Sequence, residues 1–257
     1  MTKWGWSMTE TGVSLAGKTA LITGAAKRIG RAIATALAHS GVHVAVHYNQ
    51  SAADALALCE DLRRLGVSAW PIPGDLMDAG QTAKAFRDAA AQAGPIDLLV
   101  NNASIFDRDT LWEATEESIA KNVRIHAVAP LILSRELAKQ GRAAHIVNLL
   151  DTRVAVYDRE HASYDLSKNM LLTLTRMLAL ELAPNVAVNA VAPGSILPPP
   201  GQSEAYLAKL AHANPQDRLG TPDDIAEAVL FLLRSRFITG QIVYVDGGIH
   251  MKGRIYD

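Results

Sequence analysis

The stretch that decides the fold is ALITGAAKRIGRAI, residues 20–33. An apolar run that predicts a strand leads into Gly24, and an Ala-rich segment over residues 28–40 predicts a helix with Gly30 in its first turn. Small residues at such a turn let the backbone approach a phosphate, and the free N–H groups of a helix N-terminus attract one. A strand, a glycine turn and a helix at the start of a βαβ series therefore predict a dinucleotide site.

Strand-like and helix-like segments alternate through the rest of the chain. The helix-like segments include one long helix that ends near residue 140. Near-continuous apolar strands are typical of parallel sheets covered on both faces. The pattern predicts an α/β fold, a single-domain Rossmann-type doubly wound parallel sheet of about seven strands flanked by helices. The predicted strands are residues 18–23, 42–48, 67–74, 96–103, 144–150, 186–193 and 241–248.

Domain organisation follows from the same pattern. We expect residues 1–16 to form a flexible N-terminal lead-in and residues 17–257 to form the single domain. The proline-containing segment around 195–215 is expected to be a lid over the substrate.

Composition excludes several classes of protein. The chain has 257 residues and a formal net charge of -1, so it lacks the positive electrostatic field that is typical of nucleic-acid-binding proteins. Its only cysteine, Cys59, cannot form an internal disulfide, and its eight histidines show no zinc-ligand spacing. The sequence shows no signal peptide and no apolar run of about 20 residues, which predicts a cytoplasmic protein without membrane spans.

The segment VHYNQSA, residues 46–52, ends the second predicted strand. A carboxylate here would bind the adenosine ribose hydroxyls and favour NAD, but His47 and Tyr48 are followed only by uncharged residues. Asn49 and Ser51 could donate hydrogen bonds to a 2′-phosphate, and the next helix N-terminus adds positive potential. The segment therefore predicts NADP, although the same residues also occur in ordinary loops.

A tyrosine and a lysine lie one helical turn apart in HASYDLSKN, residues 161–169. The charge of Lys168, together with that of an oxidised nicotinamide, is expected to lower the pKa of Tyr164 from its ordinary value of about 10. Asp151 follows the fifth strand, where open α/β sheets bind ligands, and could pass a proton or hydrogen-bond a substrate. The alternatives are a Tyr/Lys pair on a solvated helix face and an Asp that caps a helix.

These residues resemble the short-chain dehydrogenase/reductase family along nearly the whole chain. Asn122 and the Tyr164–Lys168 pair stand in the family's order, with NNA at 101–103, PG at 193–194 and RLGTPDDIA at 218–226. Arg28 replaces a usual glycine, and Asp151 replaces the usual serine thirteen residues before the tyrosine. These departures, NAS at 102–104 and Phe106 resemble the pteridine reductase and dihydromonapterin or dihydrofolate reductase subgroup.

The resemblance implies an NADPH-dependent reductase, most simply of a pterin or folate. The alternative is a carbonyl reductase such as a 3-oxoacyl-carrier-protein reductase, and a third reading is a non-catalytic cofactor sensor. A homotetramer that acts on a small molecule, without metal, is expected. The implied catalytic residues are Tyr164, Lys168, Asp151 and Asn122. The implied cofactor contacts are Gly24, Lys27, Arg28, Ile29, His47, Tyr48, Asn49, Ser51, Asp75, Leu76, Asn102, Ala103, Ser104, Tyr164, Lys168, Pro193, Gly194, Ser195 and Ile196. The implied substrate contacts are Arg28, Ser104, Phe106, Asp151 and Tyr164.

Overall fold

The computed structural model describes residues 13–198 and 214–251. The predicted lead-in therefore lies outside the described residues over 1–12, and the predicted lid lies outside them over 199–213. The described end of the lead-in packs on the domain, because Leu15 is buried and the Val13 N–H donates to the Arg234 carbonyl at 3.0 Å. Within the described residues, no helix combines the length and the hydropathy needed to span a membrane.

Seven parallel strands form one sheet in the order β3-β2-β1-β4-β5-β6-β7, which confirms the predicted architecture. The chain winds outward in one direction from β1 and then in the other from β4, so the order reverses between these two strands. Ligands of open α/β sheets bind at such a reversal. The strands are β1 Thr19–Ile22, β2 His43–Tyr48, β3 Ala69–Pro73, β4 Leu98–Asn101, β5 Ala144–Leu149, β6 Val186–Pro193 and β7 Ile242–Val245.

Helices cover both faces of the sheet. Successive residues of a strand point to opposite faces, so each strand contributes side chains to two cores. In β1, Ala20 and Ile22 belong to one core with α1, α2 and α7, and Leu21 belongs to the other with α3, α5 and α6. Cys59 is free and buried in the first of these cores. The helices of the described residues are α1 Arg28–His39, α2 Ala52–Arg64, α3 Ala79–Ala93, α4 Glu116–Val123, α5 Ala129–Ala138, α6 Ala162–Glu181 and α7 Pro222–Arg234.

The long helix predicted to end near residue 140 runs from Glu116 to Ala138, but the sequence did not predict the π-helical segment within it. A π-helical segment, Arg124–Val128, separates α4 from α5. Pro130 explains the break, because a proline cannot donate to the carbonyl four residues earlier and its ring clashes with that carbonyl. That residue is His126, at the centre of the π segment. Such segments often occur at functional sites, and this one faces the start of α6.

Gly30 is a position at which any side chain should be strongly destabilising. A Cβ at Gly30 would meet the Gly24 carbonyl oxygen, and would lie 2.6 Å from Asn102 Nδ2 and 2.9 Å from Ala25 Cα. We expect Gly30→Ala to lower the free energy of unfolding by at least about 2 kcal/mol, because backbone atoms must move. Urea unfolding followed by circular dichroism measures this.

The matched control is Gly80→Ala in the first turn of α3. A Cβ there meets only the Asp78 carboxylate, at 3.1 Å. The free energy of unfolding of this variant should stay within about 1 kcal/mol of wild type. Equal effects of the two substitutions would contradict the close approach at Gly30.

Candidate active site

The glycine turn is held by polar contacts between the ends of β1 and β4. Asn102 donates from Nδ2 to the carbonyls of Thr23 at 2.9 Å and Gly24 at 3.1 Å. The Thr23 hydroxyl accepts from the N–H groups of Asn102 at 2.9 Å and Ala103 at 3.0 Å. Gly24 itself has a φ of +61°, in the left-handed region that favours glycine. The predicted cofactor residue Asn102 therefore shapes the turn through its side chain.

The N-terminus of α1 fits a phosphate. Its N-cap residue, Lys27, makes no side-chain capping bond, so the first N–H groups of the helix have no such partner. Lys27 instead pairs with Asp54 at 2.8 Å. Arg28 has a φ of +55°, which explains why the family's glycine suits this position. The Arg28 guanidinium donates to the Pro198 carbonyl at 2.7 Å and lines the cavity described below.

His47 braces the same turn from β2. Its Nδ1 accepts from the Gly24 N–H at 3.3 Å, so its Nε2 carries the proton and donates to the Gly74 carbonyl at 3.1 Å. Burial lowers the pKa of His47 to about 4 and keeps the ring neutral. Both ring nitrogens therefore have protein partners, and we infer that His47 serves a cofactor through the turn.

The segment after β2 presents uncapped groups as well. Ser51 is the N-cap of α2 and makes no side-chain capping bond, which leaves its hydroxyl and the helix N-terminus for a ligand. The amide of Asn49 lies 3.4 Å from Asp75, whose carboxylate also accepts from the Met77 N–H at 3.0 Å. Of the other predicted contacts here, Tyr48 packs against the first core, and Leu76 is buried against Ile125 and Ala129.

A cavity of about 850 Å³ opens at the carboxyl ends of β4, β5 and β6. The predicted residues that line it are Arg28, Ile29, Asn102, Ser104, Phe106, Asp151, Tyr164, Lys168, Pro193, Gly194, Ser195 and Ile196. Gly194 is in close contact with β7, since a Cβ there would lie 2.7 Å from Asp246 Cβ. The predicted residues that do not line the cavity are Gly24, Lys27, His47, Tyr48, Asn49, Ser51, Asp75, Leu76, Ala103 and Asn122.

Tyr164 is buried at the cavity and donates from its hydroxyl to Asp151 Oδ2 at 3.0 Å. Burial, and then the negative charge of Asp151, raise the pKa of Tyr164 well above 10. In the protein alone the net shift of this pKa is upward, and the expectation that Lys168 and an oxidised nicotinamide together lower it stays a prediction. The Lys168 Nζ donates to the Leu149 carbonyl at 2.7 Å and lies 5.5 Å from the Tyr164 ring centroid. Tyr164 thus keeps its proton and can act as an acid.

Lys168 is buried too, and burial lowers its pKa to about 8. Asn122 is fully buried behind the cavity and donates from Nδ2 to the Ser118 carbonyl at 3.0 Å. Its Oδ1 is buried and has no hydrogen-bond partner among the described residues. A buried acceptor of this kind fits the predicted role of Asn122 in holding a water molecule, which stays a prediction.

Asp151 caps a short turn, as the alternative considered for it predicts, and also contacts Tyr164, while its catalytic role stays a prediction. One oxygen, Oδ1, accepts from the Arg153 N–H at 2.9 Å and caps the short 3-10 turn Thr152–Val154. The other, Oδ2, accepts from Tyr164. The Arg153 guanidinium lies 3.5 Å from both oxygens and forms a closer ion pair, 2.7 Å, with Asp158. The cap fixes the carboxylate that faces the tyrosine.

Phe106 has one face already covered. The His161 imidazole stacks on its ring with centroids 4.1 Å apart, and the Tyr164 ring meets it edge-on at 4.8 Å. The Arg153 guanidinium lies 5.1 Å from the Phe106 centroid. Only the remaining ring surface, which lines the cavity, is left for the predicted stacking on a substrate.

Several residues at the site were not anticipated. His126 lies beside Tyr164, with ring centroids 5.2 Å apart. The one feature of the sequence that could have drawn attention to His126 is the proline four residues after it, within the same predicted helix. Asp165, the neighbour of Tyr164, has its pKa raised to about 7 by burial. Arg153, Asp158 and Tyr157 line the cavity from the segment after β5. Among the residues that the structure describes, no cluster of His, Cys, Asp or Glu side chains could hold a metal ion.

The charge of Asp151 predicts a change in the ionisation of Tyr164. Asp151→Asn keeps the side-chain size and removes the charge, which is one cause of the raised pKa. We therefore expect Tyr164 to ionise at a lower pH in this variant, by at least about one unit. Ultraviolet difference titration of tyrosinate measures this, and Tyr164→Phe identifies its signal among the six tyrosines. An unchanged titration would refute the interaction.

The neutral state of His47 predicts a pH-dependent stability term. Its folded pKa of about 4 lies below the ordinary value of 6.5, so the stabilisation is complete above pH 6.5 and is lost as the pH falls towards 4. At pH 5 the loss is about 2 kcal/mol. His47→Gln lacks this titration, so the difference in free energy of unfolding between variant and wild type should shrink from pH 7 to pH 5. Urea unfolding at both pH values tests this, and a constant difference would be the contrary result.

Comparisons with known proteins agree with this geometry. A family model described as enoyl-(acyl carrier protein) reductase matches residues 24–250. The 3-oxoacyl-acyl-carrier-protein reductase FabG of Staphylococcus aureus is 34% identical over 249 residues, which cover 91% of this chain and 98% of FabG. A short-chain type dehydrogenase/reductase of Picea abies is 33% identical, over 91% of this chain and 93% of its own length.

A solved structure points to the same family. FolM alternative dihydrofolate reductase 1 from Brucella canis, complexed with NADP, superposes with a TM-score of 0.87 at 32% identity. The match covers 95% of this chain and all of the FolM chain. By these matches, the chain belongs to the short-chain dehydrogenase/reductase family of oxidoreductases.

Proposed function

We propose that this NADP-dependent oxidoreductase reduces a C=N bond of a pterin or folate, and takes a dihydropterin to its tetrahydro form. The observation that carries the proposal is the hydrogen bond of 3.0 Å between Tyr164 and Asp151. It places a proton donor and an acceptor-only carboxylate side by side in the cavity. The FolM structure, solved with NADP, supports the same substrate class.

The cofactor has a matching set of groups. The N-termini of α1 and α2 lack side-chain caps, and the glycine turn leaves no room for a Cβ at Gly30. No carboxylate follows directly after β2, where Asn49 and Ser51 could hold a 2′-phosphate. Bound NADPH supplies the hydride. Lys168, buried and hydrogen-bonded to Leu149, would contact the nicotinamide ribose, as the family resemblance implies.

Tyr164 supplies the proton. Its raised pKa means that the phenol is protonated at neutral pH. A reduction requires such a proton donor, whereas an oxidation requires a base. Asp151 orients the hydroxyl through Oδ2, and the cap on Oδ1 fixes the carboxylate. Asn122 would hold a water molecule that returns a proton to Tyr164 through Lys168.

The carboxylate of Asp151 discriminates between substrate classes. A carbonyl oxygen gains negative charge during reduction and needs hydrogen-bond donors around it. A serine hydroxyl can donate, whereas an ionised carboxylate only accepts and repels such an oxygen. A pterin ring presents N–H and amino groups, which a carboxylate can accept. Asp151 therefore favours the nitrogen heterocycle.

The second candidate is a carbonyl reductase of the same family. The similarity to FabG favours it, because that relative is a 3-oxoacyl-acyl-carrier-protein reductase and covers 91% of this chain. The identities to FabG and to FolM, 34% and 32%, do not separate the two substrates. The difference has to be measured.

Purified protein with NADPH should reduce dihydrobiopterin, dihydromonapterin or dihydrofolate faster than a 3-oxoacyl thioester. Asp151→Ser should lower kcat/KM for the pterin at least about tenfold, because a charge-assisted hydrogen bond is lost, and should raise it for the thioester. The loss of NADPH absorbance measures both.

Asp88→Ser, at a partly exposed position on α3 where Asp88 pairs with Lys84, is the control and should change neither rate. Absence of NADPH consumption with every pterin and folate would refute the proposed substrate. The carbonyl reductase would be established instead if wild type reduced the thioester faster than any pterin or folate and Asp151→Ser lowered the rate with the thioester.

Four finer expectations accompany the proposal. They are a homotetramer, a cytoplasmic location, a substrate lid around 195–215 and a flexible lead-in at 1–16. Each stays a prediction.

A further inference from the structure

His126 occupies a position that the proposed chemistry does not yet use. It is buried in the π-helical segment between α4 and α5, and the edge-on ring of Tyr164 packs against it. Its Nδ1 lies 2.7 Å from Ser167 Oγ, and its Nε2 lies 2.8 Å from Ser104 Oγ. The imidazole therefore connects α6 to the loop after β4, where Ser104 lines the cavity.

The hydrogen bonds around the ring determine its tautomer. Ser167 donates its only hydroxyl proton to the Tyr164 carbonyl at 2.6 Å, so Ser167 must accept from His126 Nδ1–H. On the other side, the Ile105 N–H donates to Nε2 at 3.3 Å, so Nε2 is an acceptor. Both ends require the same form, a neutral ring with the proton on Nδ1.

The ring also stays neutral. Burial, and then the positive charge of Lys168, lower the pKa of His126 to about 2. His126 therefore does not carry a proton in the reaction. It offers a fixed acceptor at Nε2.

This acceptor determines the direction of the Ser104 hydroxyl. Ser104 has one proton, and its near acceptors are His126 Nε2 at 2.8 Å and the Ile105 carbonyl at 3.1 Å. Both belong to the protein, so the lone pairs of Ser104 Oγ remain for a ligand. The Tyr164 hydroxyl also lies within hydrogen-bond reach of Ser104, an interaction that lowers the pKa of Tyr164.

We propose that His126 is a positioning residue. Its Nε2 accepts a hydrogen bond from the Ser104 hydroxyl, so that the Ser104 oxygen is oriented to accept a hydrogen bond from the substrate. Ser104 and Asp151 then present two acceptors at one cavity, which selects a ring that carries N–H or amino groups over a ketone. The inference deepens the proposed function and rests on it, because it states what the pterin or folate must offer to this site.

The first test needs neither a variant nor a substrate. In the wild-type protein, the ¹⁵N resonances of the His126 ring should show a protonated Nδ1 and an unprotonated Nε2. The opposite tautomer would overturn the inference whatever the substrate is. His126→Asn serves to identify the resonances.

The second test separates the two ring nitrogens. His126→Asn keeps a donor near the Nδ1 position and loses the Nε2 acceptor, whereas His126→Gln can place a carbonyl oxygen near the Nε2 position. We expect KM for the dihydropterin to rise about fivefold to tenfold in the Asn variant, with kcat within about twofold of wild type, because Ser104 must be reoriented. The Gln variant should recover most of the affinity.

The third test is a double-mutant cycle with Ser104→Ala. If His126 acts through Ser104, adding His126→Asn to Ser104→Ala should not raise KM further. His145→Asn, the same substitution on β5 away from the cavity, is the matched control and should leave KM unchanged.

The outcomes distinguish this inference from the proposed function. If wild type reduces no pterin or folate, the proposed function fails, while the tautomer measurement still stands. If wild type reduces a pterin but the Asn variant keeps the wild-type KM, or the Gln variant is as impaired as the Asn variant, only the inference about His126 fails. Additive effects in the cycle would also overturn it.

Discussion

The clamp between Thr23 and Asn102 is the contact on which the site depends. Each residue satisfies two backbone groups of the other strand end, so the chain leaves β1 and β4 in a fixed geometry at the point where the strand order reverses. The glycine turn follows directly on one side. The segment that carries Ser104 and Phe106 follows on the other. Partly buried side-chain hydrogen bonds at the carboxyl ends of two central strands thus place both halves of the cavity.

A second theme is that three buried groups, Tyr164, His47 and His126, are each held in one protonation state. Tyr164 keeps its proton because burial and Asp151 both disfavour the phenolate, and His47 and His126 stay neutral because burial disfavours their charge. The two histidines act as oriented hydrogen-bond groups, one under the glycine turn and one behind Ser104.

The family relationship leaves substrate choice to a few side chains. The same sheet and the same Tyr–Lys pair serve reductases with different substrates, because fold alone does not define the reaction. In this chain the groups that we propose to distinguish substrates are Asp151, in the position of a usual serine, and the Ser104–His126 pair. All of them change the balance of hydrogen-bond donors and acceptors at the cavity and leave the backbone unchanged.

The sequence by itself determined the seven strands, their parallel arrangement and the approximate position of the site, because apolar runs and glycine turns are local signals. Twelve of the predicted cofactor and substrate residues line the cavity. The tertiary structure decided the rest. The neutral bracing role of His47 and the raised pKa of Tyr164 both depend on burial and on partners that are distant in the chain. Side-chain spacing can place Lys168 near Tyr164, but only the packed structure shows that burial and Asp151 outweigh its charge.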